Sequence, residues 1–354
     1  MSIGAVMDIV SVPDAIEWQA HHAQEAGAPG TARIVRALLA LEESDTATAR
    51  RIFSWQGLSL RDAMPLRIVG GLHNLLLTGD APRLGDVYAG RIVSQHDVDA
   101  LVLDLLEAFD ARLLPWLDGP PQTNEAGRSA SFAAALAWLA NGRTPPRFAL
   151  LEIGASAGIN TMMGRYYYNL GGYAAGPTGS PMRIEPEWRG EPLDGAEYHI
   201  VSARGCDVAP VDLGEREAAL RLKGYVWPEA TERMARIDTA IAMAKDEPPA
   251  LDRADAAQWV EHMLAEPAQE GVTRVLMHSI MWQYLSDAAQ DRIEGLILDA
   301  GKQAAASSPL AHVALETNRA TFQHELRVRY WPGGARPVHL ANAHPHGAWV
   351  QWLG

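Results

Sequence analysis

The sequence predicts an α/β fold: about seven strands, mostly parallel, with an antiparallel C-terminal pair and an N-terminal helical region ahead of them. Three observations lead there. Residues 34–117 carry apolar positions at helical spacing. From residue 147 onward, short strand-like runs alternate with helical ones, the pattern of a layered α/β unit. The final strand-like runs alternate polar and apolar residues, which suits antiparallel strands with one exposed face.

Composition narrows the class. The 354 residues are 48% hydrophobic, enough for one large core or two smaller ones. With 21% charged residues the chain resembles neither a disordered segment nor a coiled coil. The formal charge of −13 speaks against a nucleic-acid partner, because a phosphate-binding face is basic. A single cysteine, Cys206, excludes a disulfide framework and a cysteine-rich zinc site, and it suits a reducing compartment. The N-terminal MSIGAVMDIVSVPDAIEW lacks a basic start and meets Asp8 early, which makes it a poor signal peptide. No apolar run approaches the roughly 20 residues of a membrane span. The expectation is a cytoplasmic protein with a small-molecule substrate and neither a nucleic-acid nor a membrane partner.

In chain order, helices are expected over 34–43, 66–79 and 97–117, the last stopping at Gly119-Pro120-Pro121. Residues 1–121 thus form the helical region. Thr123 or Asn124 can cap a further helix with Phe132, Leu136 and Leu139 on one face. The second region, 122–354, begins its sheet with RFALLEIG (147–154), a run apolar enough for a parallel strand buried on both faces. Strands follow at 199–207, 249–256, 273–280 and 311–316, about five parallel strands in all, with an insertion at about 161–197. ELRVRYW (325–331) and GAWVQWL (347–353) are expected to form the antiparallel pair.

LLEIGASAGIN (150–160) places two glycines directly after the first strand. A P-loop needs wider glycine spacing and a lysine, and neither is present. The dinucleotide fingerprint needs glycine where Ser156 stands and a small residue where Ile159 stands. That weakens a nicotinamide-dependent oxidoreductase reading. The loop resembles instead the first motif of Rossmann-like methyltransferases that use S-adenosylmethionine. Glu152, Gly154, Ala155, Ser156, Gly158 and Asn160 would form the cradle. Glycine lets backbone approach a ligand, and a helix opened by the loop would offer free N–H groups to a carboxylate.

In an open parallel sheet the ligand lies at the carboxyl ends of the strands. Asp207 ends the second strand as the expected ribose acid, with Glu185 in MRIEPEW as its rival. Asp255, with Ala256, follows the third strand and resembles the acid that meets an adenine amino group. His278 and Ser279 end the fourth, ahead of Trp282 and Tyr284 on the acceptor side.

Several segments together resemble a bacterial domain-of-unknown-function family, number 2332. They are QTNEAGR (122–128), LLEIGASAGIN, RGCDVAPVD (204–212), YVWPEATERMARI (225–237), HSIMWQYL (278–285), RYWPGG (329–334) and HPHGAWVQW (344–352). They run in the family's order over about two-thirds of the chain. The family resembles the methyltransferase superfamily in its glycine motif and implies no particular substrate.

The remaining candidates each have a plain structural alternative. Asn124, Glu125 and Arg128 either bind the acceptor or form a cap and a local ion pair. His278 or Glu125 would accept the acceptor's proton, or His278 is a buried, satisfied histidine. His344 and His346 either join His278 or Glu316 at a metal, or are turn residues; no metal is expected. The tyrosines of RYYYNLGGY (165–173) cover a pocket or pack at its rim. The expected function is S-adenosylmethionine-dependent methyl transfer to a small acceptor. The alternative from another class is a non-catalytic cofactor-binding or scaffold protein on the same fold.

Overall fold

A computed structural model describes residues 11–57 and 62–354. The chain divides into two compact units, one of residues 1–123 and 215–235, the other of residues 124–214 and 236–354.

The first unit is helical. It contains α1 (Val12–Glu25), α2 (Pro29–Ala37), α3 (Ala47–Phe53), α4 (Met64–Thr78), α5 (Leu84–Tyr88), α6 (Gln95–Leu113) and, from the later segment, α8 (Arg216–Gly224). Local chemistry sets the ends. Ser11, Thr46 and Ser94 cap α1, α3 and α6 through their hydroxyls, and Gly79 closes α4 in the left-handed conformation. The helix expected over 34–43 divides, because α2 tightens into a 3₁₀ helix over Leu38–Glu43. Ile34, Leu38, Leu41, Ile68, Leu72 and Leu106 are fully buried and form the centre of this core. The segment 215–235 belongs here because its side chains complete that core. Tyr225 packs edge-on against Trp116, and His73 Nδ1 bonds the Gly224 carbonyl at 3.1 Å.

The second unit is α/β. Its helix α7 (Ser129–Ala140) is buried at every residue, not along one stripe. Neither Thr123 nor Asn124 caps it, since a 3₁₀ turn over Ala126–Arg128 precedes it, and Glu125 accepts from Gly127 N. The main sheet has nine strands in the order β5-β12-β11-β10-β9-β8-β1-β6-β7. The expected parallel strands are β1 (Arg147–Ile153), β6 (His199–Asp207), β7 (Leu251–Arg253), β8 (Thr273–Ser279) and β9 (Leu310–Thr317). They lie side by side in parallel as β7-β6-β1-β8-β9.

Beyond β9 the sheet turns antiparallel through β10 (His324–Trp331), β11 (Gly334–Ala343) and β12 (Trp349–Trp352). β11 was not expected, and it separates the two segments read as a pair. Pro337 and a run of exposed residues hide its strand character. β5 (Glu187–Gly190) adds a parallel edge to β12.

Between β1 and β6 the insertion holds a 3₁₀ helix over Thr161–Arg165 and a three-stranded sheet of β2 (Tyr167–Leu170), β3 (Tyr173–Ala175) and β4 (Arg183–Ile184). No α-helix follows β1. The remaining helices are α9 (Thr231–Asp246), which crosses the boundary between the units, α10 (Ala256–Ala265) and α11 (Asp287–Gln303). Among the described residues no helix is long and apolar enough to cross a membrane.

Candidate functional site

The strand order reverses at β1. The chain moves to β6 and β7 on one side and then returns to β8 and β9 on the other. In an open α/β sheet that reversal opens a crevice at the carboxyl ends of the strands. The glycine loop sits there. Gly154 and Gly158 both have positive φ, as does Ser156 between them.

At Gly154 a Cβ would lie 2.8 Å from the Met281 side chain, so the missing Cβ makes room for the chain leaving β8. Ile280, just before Met281, has φ of +50°, a costly conformation for a β-branched residue. The loop is tied down from three sides. Ser156 N donates to Asp207 Oδ2 (2.9 Å), Ile159 N to Asn124 Oδ1 (2.9 Å), and Ala155 N to the Cys206 carbonyl (2.9 Å).

Glu152 lies beneath the loop, 2% exposed, accepting from Thr161 Oγ1 at 2.5 Å. Burial pushes its carboxyl up to about 7. The neighbouring Thr161 and Asn160 side chains and the Arg128 charge oppose the rise, and the Asp207 charge adds to it. Among the described residues, three buried polar atoms of the loop lack a well-formed hydrogen bond: Ser156 Oγ and both amide atoms of Asn160. The Asn160 side chain lies close enough to Glu152 to hold its carboxyl down, though not in a well-formed hydrogen bond. Buried polar atoms are nearly always satisfied, which sets these three apart from the rest of the loop.

QTNEAGR meets the same region. Glu125, 4% exposed, holds Arg236 Nε at 2.8 Å, and Arg128 Nε donates to the Pro345 carbonyl at 2.8 Å. The HPHG turn can approach because two glycines face each other: a Cβ on Gly347 would lie 2.3 Å from Gly127 main chain. In that turn His346 N donates to His344 Nδ1 at 3.1 Å, so the histidine pair is hydrogen-bonded within itself. Among the described residues no group of three or more His, Cys, Asp or Glu is arranged to hold a metal ion. Burial lowers His324 to about 4, helped by the Arg128 and His344 charges and opposed by Glu316.

A buried polar chain runs across β8, β9, β10 and α11. Arg329 pairs with Glu294 through both guanidinium nitrogens, and its Nη2 also reaches His312 Nδ1 at 2.8 Å. His312 Nε2 meets His278 Nε2 at 2.9 Å, and His278 Nδ1 meets Glu316 Oε1 at 2.7 Å. Trp282 stacks on the His278 ring. Burial holds His312 well below the usual histidine range, and the neighbouring His278 and Arg329 charges add to this.

The predicted residues thus separate. Asn124 and Asp207 bind the loop that carries Ser156 and Asn160, and the Arg128 charge reaches Glu152; Glu125 holds Arg236, and His278 and buried Ser279 end β8, the strand next to β1. Others have structural duties. Asp255 is an exposed N-cap, accepting from Gln258 N, and Ala256 packs into the core beside Trp259. Glu185 pairs with Arg183 directly after β4, a strand of the small sheet, so it does not occupy the tip of the second parallel strand, which Asp207 takes. Tyr284 is 64% exposed.

The loop opens no α-helix, so the expected helix-terminal N–H groups are not there. The four tyrosines line a cavity of about 610 Å³ with Tyr198, and the Tyr166, Tyr168 and Tyr173 hydroxyls are bound to protein oxygens. His312 and Arg329 have no signal in the sequence, and Glu316 enters the sequence reading only as a partner of His344 and His346 at a metal. Glu316 lies one residue before the end of β9, and the strand-tip rule applied there points to it as a crevice residue.

A large, mostly parallel sheet whose order reverses at β1, with a glycine loop over a buried acid at that point, defines the class: an α/β protein with an N-terminal helical part. The chain belongs to the bacterial family described as "Uncharacterized protein conserved in bacteria", DUF2332, whose model matches residues 13–352. Comparison with curated proteins returned no match, and comparison with solved structures returned none either.

Proposed function

We propose that the α/β unit is a Rossmann-like S-adenosylmethionine-dependent methyltransferase acting on a small acceptor. One observation carries the reading: Ser156 Oγ and the Asn160 amide, buried without well-formed hydrogen bonds, share the switch-point loop that follows buried Glu152, and Asn160 lies against that acid. This set fits the amino-acid end of the cofactor. The Asn160 amide and the Ser156 hydroxyl would donate to its carboxylate, and Glu152 would receive its ammonium. The cofactor, when bound, supplies an activated sulfonium methyl group. The chain's part is to position the two reactants and exclude water.

Two features favour the alternative, a binding protein without turnover. Both Asp207 carboxylate oxygens already accept backbone N–H groups, from Ser156 and Ala209, which leaves the ribose contact weaker than the resemblance implies. Met281 also fills the space over Gly154.

Calorimetry with S-adenosylhomocysteine at about pH 6, in two buffers of different ionisation enthalpy, tests the reading. Glu152, protonated there in the free protein, should ionise against the ligand ammonium and release about one proton. Absence of binding at millimolar ligand rejects the cofactor. Binding without turnover over a broad acceptor panel supports the scaffold alternative.

A further inference from the structure

The chain Glu294–Arg329–His312–His278–Glu316, buried at its three middle members, has only one consistent arrangement of protons. Arginine has donors and no acceptor, so Arg329 Nη2 must donate to His312 Nδ1. A neutral His312 then carries its proton on Nε2 and donates it to His278 Nε2. His278 in turn carries its proton on Nδ1 and donates it to Glu316 Oε1. Protonating His278 on Nε2 would set two N–H groups head to head. His312 could escape only by moving its own proton to Nδ1, against the Arg329 guanidinium. The polarity is therefore set at the Arg329 end, and the ring of His278, 2% exposed, has no nitrogen left for a substrate.

Glu316 ends the chain in a different state. Its Oε1 also accepts from Met281 N (3.2 Å) and Trp282 N (3.3 Å), giving three donors to one oxygen. No bond reaches Oε2 among the described residues, and the side chain is 20% exposed. Met281 links this carboxylate to the glycine loop, since its N–H binds Glu316 while its side chain covers Gly154. Ile280, with its positive φ, directly precedes the two residues whose N–H groups reach the carboxylate.

We infer that Glu316, not His278, is the open acceptor of the crevice, taking a hydroxyl or amine N–H of the ligand, and that His278 is its positioning residue. The ligand identity rests on the methyltransferase reading above; the polarity of the chain and the accessibility of Glu316 do not. The titratable and charged groups facing His278 are Glu316 and His312 directly, with Arg329 and Glu294 behind His312. His324 stands beyond Glu316.

Two measurements on the full chain test it, neither requiring bound cofactor. In protein labelled with ¹⁵N-histidine, long-range ¹H–¹⁵N spectra at pH 7 should show His278 as the neutral Nδ1–H tautomer and His312 as the neutral Nε2–H tautomer. Arg329→Met should release that preference at both rings, and Arg329→Lys should restore it at least in part. Finding His278 as the Nε2–H tautomer, or as the imidazolium, overturns the inference.

The second uses a water-soluble carbodiimide with glycine ethyl ester, read by peptide mass spectrometry. Glu316 should be modified, while buried Glu152 and Glu125 should not. Glu316 remaining unmodified while exposed acids react shows that it is not open. If both measurements succeed and S-adenosylhomocysteine does not bind, the cofactor reading fails alone and the acceptor assignment stands.

Discussion

Glu152→Gln tests the electrostatics beneath the glycine loop through stability alone. Glutamine imitates the neutral acid and keeps an oxygen for Thr161 Oγ1. Burial raises the carboxyl from 4.5 to about 7, so the folded state holds a proton that the unfolded chain has already lost over that window. Below about pH 4.5 both states are protonated and Glu152 costs nothing. As pH rises through 7 its contribution is lost, to a limit of about 3 kcal/mol at 1.36 kcal/mol per unit.

The variant lacks this loss. Its stability relative to wild type should therefore rise by about 2 kcal/mol between roughly pH 5.5 and pH 8. Urea denaturation of both proteins across that range measures it. Taking the difference matters, because His73 and His324, both lowered to about 4, pull the other way in each protein. Their stabilisation is present above about pH 6.5 and is lost as pH falls toward 4. A difference that is flat, or that falls as pH rises, would mean that Glu152 is charged and compensated in the fold, and the reasoning about an acid awaiting a cation would be wrong.

Other predictions address packing and caps. Asn160→Leu replaces an unpartnered buried amide, so stability should hold or rise by about 1 kcal/mol while S-adenosylhomocysteine binding is lost; destabilisation beyond about 2 kcal/mol would reveal a bound partner, such as a water, in the resting protein. Gly347→Ala sets a Cβ 2.3 Å from Gly127 backbone at a φ of +72°, and thermal melts should show a loss above about 3 kcal/mol or failure to fold, with a near-neutral result dismissing the close approach. Asp255→Ala removes the α10 cap and should cost about 1 kcal/mol with ligand affinity unchanged; a selective loss of affinity in calorimetry would restore its adenine role.

Much of the fold was legible because its signals are local. The apolar run RFALLEIG announces a strand buried on both faces, and all five parallel strands lie within or overlap the segments expected to be strands, the polar PALDRADA giving the weakest signal and the shortest strand, β7. β11 was hidden because Pro337 and exposed side chains carry none of that pattern, and its partners β10 and β12 supply the order. Glu152, Asp207 and the loop glycines were legible as candidates, since each follows a strand directly. Their roles were not. Whether Asp207 faces a ribose or holds Ser156 N depends on where β6 ends relative to β1, Cys206 opposite Ile153, and that register is a property of the sheet.

The family was legible from the motifs that resemble it, and the α/β class, the parallel strands and the position of the glycine loop from composition, periodicity and short-range turn chemistry. Only tertiary structure decided which polar groups meet. Glu294, Arg329, His312, His278 and Glu316 lie on α11, β10, β9, β8 and β9, and no spacing in the chain relates them. Sheet register sets Arg329 beside His312, and side-chain reach does the rest. The direction of every proton in that chain then follows from one residue, an arginine that can only donate.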